Sequence, residues 1–89
     1  MRWSVDLSRD AQHQLSQLPR NVRDRIVRAI DELEERDDSL WSNVKALRGE
    51  QWKGRFRKRV GVYRIIFRKF PDRAVVEIAA ILIRSEAYR

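Results

Sequence analysis

Between Gln51 and Lys69 the chain places eight basic residues and no acidic one: Lys53, Arg55, Arg57, Lys58, Arg59, Arg64, Arg68 and Lys69. From Trp52 to Arg59 the residues alternate, with Lys53, Arg55, Arg57 and Arg59 at odd positions and Trp52, Gly54 and Phe56 between them. A β-strand sends successive side chains to opposite faces, so the pattern predicts those four cations in a row on one face, about 7 Å apart. Such a row suits a polyanion backbone, because each cation can neutralise a separate phosphate. Ordinary surfaces mix both signs of charge. This stretch points instead to nucleic acid, or to nucleic-acid machinery, as the partner.

The chemistry open to such a set is phosphoryl transfer on RNA. Cleavage by the adjacent 2′-OH needs a base for its proton, a cation for the phosphorane charge and an acid for the leaving oxygen. Arginine is a persistent bidentate phosphate donor. Lysine or tyrosine can move protons where neighbouring cations favour the deprotonated form. The candidates are Lys53, Arg55, Arg57, Lys58, Arg59, Arg64, Arg84 and Tyr88. Phosphate binding without cleavage, or binding of an acidic protein, accounts for the strand cations equally well. Trp3, Trp41 and Trp52 could stack bases, although burial is the commoner role of tryptophan in so small a domain.

Other chemistries lack support. His13 is the single histidine, and there is no cysteine for a disulfide, a thiolate zinc site or a nucleophile. Glu34, Glu35, Asp37 and Asp38 lack the glycine-turn spacing of a calcium loop. Three glycines form no phosphate-binding loop motif. No metal or cofactor is expected.

The elements that must position the cations are read from periodicity. Trp3, Val5 and Leu7 alternate with polar residues and predict a strand. Ser8 is a suitable N-cap for a short helix carrying Ala11, Leu15 and Leu18, which Pro19 ends. Val22, Ile26, Ala29, Ile30 and Leu33 mark one face of a longer helix, expected to fray around Arg36 to Asp38. Residues 39–50 read as a connection. Strands are expected at about 52–58, 62–69 and 74–83, separated by Gly61 and by Pro71-Asp72. The last is apolar on both faces, as a central strand requires. The order β-α-α-β-β-β predicts an α+β fold: a small, mainly antiparallel four-stranded sheet with both helices on one face.

The 89 residues are expected to form one domain, residues 1–89. The net charge of +7 is uneven. Residues 1–50 hold nine basic and ten acidic side chains, whereas residues 51–89 hold eleven and three. That asymmetry suggests a site more than a solubility device. The charged N-terminus and the lack of a long apolar run suggest a soluble cytoplasmic protein.

Three segments carry a family resemblance: Leu47-Arg48-Gly49, the run from Gly54 through Tyr63-Arg64-Ile65-Ile66-Phe67, and Ile81-Leu82-Ile83-Arg84-Ser85-Glu86-Ala87-Tyr88. Together they resemble the RelE/ParE toxin superfamily of type II toxin–antitoxin modules, across essentially the whole chain. The resemblance implies a cognate antitoxin that neutralises the toxin. In the RelE branch it implies an endoribonuclease that cleaves mRNA in the ribosomal A site without a metal. It carries over Arg64 as a phosphate-stabilising cation, with Arg57, Arg84 and Tyr88 completing the catalytic set. Lys53, Arg55, Lys58, Arg59 and Arg68 would then hold RNA. Arg55 and Arg57 stand where the best-known ribonucleases have lysine, and Ile83 stands where many relatives have a polar or basic residue. Both departures keep the ParE branch, whose toxins bind and inhibit DNA gyrase, as the alternative.

Overall fold

The computed structural model describes residues 2–83. The chain runs β1 (Ser4–Leu7), α1 (Arg9–Ser16), α2 (Arg20–Glu35), β2 (Val44–Ala46), β3 (Phe56–Val60), β4 (Tyr63–Phe70) and β5 (Val75–Ile83). The five strands form one sheet in the order β1-β5-β4-β3-β2. All pairs are antiparallel except β1 with β5. The α+β class and the central position of β5 are as expected, with one strand more than the four read from the sequence. The extra strand is β2, three residues long, inside the stretch read as a connection.

The α1 start is fixed by Ser8, whose hydroxyl oxygen accepts from the Ala11 N–H at 3.0 Å. The same hydroxyl donates to the Ala79 carbonyl at 2.7 Å, which ties the helix to β5. Pro19 closes α1 and opens α2; its carbonyl accepts the Arg23 N–H at 2.8 Å. Ile26, Ala29, Ile30 and Leu33 are the buried stripe of α2. They meet Ile65 and Phe67 of β4 and Val76 and Ile78 of β5 in one core. The acidic end of α2 stops at Glu35. Trp41 anchors the following segment by an edge contact with Phe67 at 5.8 Å and an indole N–H donated to the Arg36 carbonyl at 3.1 Å. Among the described residues no helix is long and apolar enough to cross a membrane.

The β3–β4 turn has two residues, Gly61 and Val62, and Gly61 sits at φ +58°. Glycine at the first turn position is the pattern of a type II′ hairpin, whose twist matches that of the strands. It fixes the register that sets Arg59 opposite Arg64. The β3 strand starts at Phe56, later than its sequence pattern suggests. Glu50–Trp52 form a 3-10 turn instead, and Gly54 takes φ +76°, which a strand does not allow.

Candidate nucleic-acid interface

Register divides the basic residues between two faces. Phe56, Lys58 and Val60 of β3 lie opposite Phe67, Ile65 and Tyr63 of β4. Apart from Lys58, these residues belong to or pack on the core, so they define the helix side of the sheet. Arg57 and Arg59 therefore project from the side away from the helices, the open side, which they share with Arg68 and with the buried Arg64 and Ile66 of β4. Lys45 of β2 joins them as the direct partner of Arg57.

Like charges meet head-on there. Lys45 opposes Arg57, and Arg59 opposes Arg64. Side chains at opposite positions are about 5 Å apart at Cβ, and like charges in that relation destabilise a sheet. No carboxylate is bonded to any of these four among the described residues. Arg64 is buried, at 5 % exposure, with its Nη1 donating to the carbonyls of Gly61 at 3.0 Å and Tyr63 at 2.9 Å. Among the described residues its Nε has no acceptor, and neither has the buried Nε of Arg55. A buried donor without a partner costs about 1–3 kcal/mol, so each of these arginines is held at some expense to stability. Arg57 donates from Nη1 to the Asn43 carbonyl at 2.8 Å, which steers it toward β2. The φ of +60° at Asn43 turns its carbonyl into that position.

Beside Arg57 the surface sinks into a depression of about 310 Å³, lined by Lys45, Ala46, Leu47, Arg48, Trp52 and Arg57. Leu47 and Arg55 extend the β2–β3 pairing, with the Leu47 N–H donating to the Arg55 carbonyl at 2.9 Å.

The chain matches the family model for the ParE toxin of the type II toxin–antitoxin system parDE over residues 5–88. The chain belongs to this family. The fold agrees: a chain of the RelBE2 toxin–antitoxin complex of Mycobacterium tuberculosis is 29% identical, with 94% of this chain and all of that one covered at a TM-score of 0.68. The archaeal RelE–RelB complex of Pyrococcus horikoshii contains a chain 24% identical, covering 97% and 99% at a TM-score of 0.78. Escherichia coli YafQ shares only 9% identity yet superposes at 0.77 over 99% of this chain and all of its own. No individually curated protein matches the sequence.

In this ParE-family toxin the sequence candidates separate into distinct groups. Arg57, Arg59 and Arg64 come together on the open face, and Arg55 continues their alternation beyond the end of β3. Lys53 instead closes the 3-10 turn and is exposed. Arg68 lies four residues from Arg64, roughly 13 Å along the strand, opposite Glu77, which itself pairs with Asp6. That end of the face carries two carboxylates beside one cation. Lys58, expected to hold RNA, is on the helix side at 2 % exposure, with Nζ 3.0 Å from Glu32 Oε2 and 2.7 Å from the Ser42 carbonyl. The buried ion pair removes it from the surface. Lys69 also faces the helix side, 3.3 Å from Asp38 and 4.6 Å above the Phe56 ring. Arg84 and Tyr88 lie outside the described residues.

Two residues of the surface, Lys45 and Arg48, escaped the sequence reading as site residues, and Trp52 entered it only as one of three tryptophans that could stack bases. Their signal was weak. Lys45 sits between Val44 and Ala46, too short a run to register as a strand.

The Glu32 carboxyl shows how the helix side is held. Burial opposes its ionisation, but the Ser42 backbone N–H, the Lys58 ammonium and the Ser42 hydroxyl together bring it below the ordinary carboxylate value. The Ser42 N–H reaches Glu32 Oε1 at 2.7 Å. This triad clamps α2, β3 and the segment leading into β2 together.

Proposed function

We propose that this toxin is an endoribonuclease that cleaves mRNA on the ribosome, in the cytoplasm, and so arrests translation. The observation that carries the reading is the pair of like-charge oppositions on the open face, Lys45 with Arg57 and Arg59 with Arg64. A fold keeps such an arrangement at a cost in stability, and an RNA backbone offsets it. In the reaction the 2′ oxygen attacks the adjacent phosphorus and the bond to the 5′ oxygen breaks. The products are a 2′,3′-cyclic phosphate and a 5′-hydroxyl end. The 2′-OH proton passes to a base, and the departing oxygen gains one. Arg64 and Arg57 hold the charge that accumulates on the non-bridging oxygens, a role worth about 10²–10³ in rate for one well-placed donor. Protein cations thereby supply the charge stabilisation without a bound metal or cofactor. Arg84 and Tyr88 of the C-terminal motif complete the set, with Tyr88 as the proton-transfer group. Arg55, Arg59 and Lys53 bind the flanking phosphates.

The cognate partner is an antitoxin protein, as in the RelBE2 and RelE–RelB complexes, and an acidic segment of it would cover the open-face cations. A second reading, inhibition of DNA gyrase without cleavage, is favoured by the ParE name of the matching family and by arginine at positions 55 and 57. A guanidinium stays protonated and moves no proton at neutral pH.

Primer extension on cellular mRNA after brief induction tests the choice, with Arg57→Ala beside the wild type. New transcript ends in phase with codons, absent in the variant, are expected. Growth arrest with intact mRNA and loss of supercoiling activity would transfer the assignment to gyrase.

A further inference from the structure

Trp52 differs from the other two tryptophans of the chain. Trp3 is buried, at 5 % exposure, and its ring meets that of Trp41 at 5.5 Å, while Trp41 in turn meets Phe67. Trp52 takes part in no ring contact with the described aromatic residues and its indole N–H has no acceptor among them. It is half-buried at the end of the Glu50–Trp52 turn and lines the depression. The turn holds it there: the Trp52 N–H donates to the Gly49 carbonyl at 3.0 Å, and its own carbonyl accepts from the Arg55 N–H at 2.9 Å. Gly49, at φ +100°, supplies a bend that a side chain would strain.

Around this indole stand three cations, Lys45, Arg48 and Arg57, with no acidic side chain in the lining. Ala46 and Leu47 complete the wall. At about 310 Å³ the depression is at the small end of ligand sites, which run from roughly 300 to 1,000 Å³. One aromatic surface beside several phosphate-binding cations is the pairing by which proteins bind single-stranded nucleic acid: the ring takes a base and the cations take the backbone.

We infer that this depression is a single-nucleotide subsite for RNA, in which Trp52 stacks on one base and Lys45 and Arg48 hold the phosphate of that nucleotide. Arg57 is shared between this phosphate and the one to be cleaved. The inference rests on the RNA reading of the open face and adds a base-recognising element that the strand cations lack. Because stacking is the contact, larger purine bases are favoured over pyrimidines, and no edge of the base is read. Trp52 is thus a specificity-determining residue, distinct from the charge-stabilising arginines.

The test uses the full chain labelled with 5-fluorotryptophan, which gives three fluorine resonances, one per tryptophan. The Trp52 signal is identified by its loss in Trp52→Phe. The probe is a 5′-phosphorylated 2′-O-methyl trinucleotide, which cannot be cleaved because its 2′ oxygen is blocked. A saturable shift of the Trp52 resonance is expected, with an analogue abasic at one position binding about tenfold more weakly, as loss of a single stacked base implies. Lys45→Ala and Arg48→Ala are expected to weaken binding severalfold and to flatten its salt dependence. Equal affinity for the abasic analogue, or a Trp52 signal that does not move, overturns the subsite. So does a Trp52 signal moved by purified gyrase but not by RNA. The failures are separable: codon-phased mRNA cleavage without base-dependent binding removes only the subsite, whereas base-dependent binding without cleavage removes only the nuclease.

Discussion

Arg57 and Lys58 are neighbours in sequence and opposites in role. Lys58 points to the helix side, where Glu32 and Ser42 satisfy its ammonium at 2 % exposure. Arg57 points to the open side, where its cross-strand partner is another cation, Lys45. Arg59 repeats the arrangement against Arg64. One face of β3 therefore uses positive charge to hold the fold, and the other sets cation against cation. Strand parity makes the difference, and charge counting alone conceals it.

The contrast breaks most sharply under substitution for function. Arg64→Ala is expected to lower mRNA cleavage by about 10²–10³-fold. It also removes two hydrogen bonds to backbone carbonyls, so circular dichroism and a melting curve must accompany the growth assay. Arg57→Ala separates the effects, because it loses one exposed hydrogen bond to Asn43 and should melt close to the wild type while losing toxicity. Full growth arrest by both variants at equal expression would remove the open face from the mechanism.

Lys58 is expected to behave in the reverse way. Lys58→Met leaves the partly exposed Glu32 without its cation but with its Ser42 partners, and should cost about 1–2 kcal/mol, a fall of roughly 5–15 °C in Tm for a domain of this size. Removing both charges, as in Glu32→Leu with Lys58→Met, should recover part of that loss, since no unpaired charge then remains. A thermal shift series over the single and double variants reads the coupling. Unchanged Tm in Lys58→Met would show that the pair contributes nothing, and would return Lys58 to the candidates for RNA binding.

The same pair gives the helix side a pH dependence that the arginines of the open face lack. The folded value of Glu32 lies below its reference of 4.5, so its contribution to stability is fully present above that pH. It is lost as the pH falls through the lower folded value. Glu32→Gln should therefore flatten the acid limb of a stability profile below about pH 4.5, measured by urea midpoints, and leave the neutral limb unaltered in slope. An acid limb as steep as that of the wild type would assign it to other carboxylates.

Much of this division was legible in the sequence, and the failures have physical causes. The strand β1 and both helices follow from apolar periodicity, because each buries one face, and β4 and β5 follow from apolar runs bounded by turn residues. Alternation from Trp52 to Arg59 set Arg55, Arg57 and Arg59 on one side, but it also enlisted Lys53, which a 3-10 turn and the positive φ of Gly54 place outside the strand. Lys58 shares its parity with Phe56 and Val60, so its burial was open to inference. Its partner Glu32 lies 26 residues away on α2, a pairing no local pattern contains. The β2 strand is too short to show a period, and with it Lys45 and the depression were hidden. Trp52 was indistinguishable from a core tryptophan until the core was seen to close around Trp3 and Trp41 without it.

The smallest effect is the most discriminating, because it has the opposite sign for the two faces. If the open-face cations are kept for a ligand at a cost to the fold, removing one should stabilise the free protein. Arg59 is exposed and opposes Arg64 directly, so Arg59→Gln relieves a like-charge pair without emptying any buried volume. A gain of about 0.2–1 kcal/mol is expected, or a rise of a few degrees in Tm at most. Added salt screens the exposed Arg59 more than the buried Arg64 and should shrink the difference between variant and wild type only in part. Toxicity should fall in the same variant, so stability and function move in opposite directions at residue 59, whereas at residue 58 the expected change is in stability alone. If Arg59→Gln instead melts lower than the wild type, the Arg59–Arg64 opposition is not a strain. The positive face would then need an explanation within the fold itself.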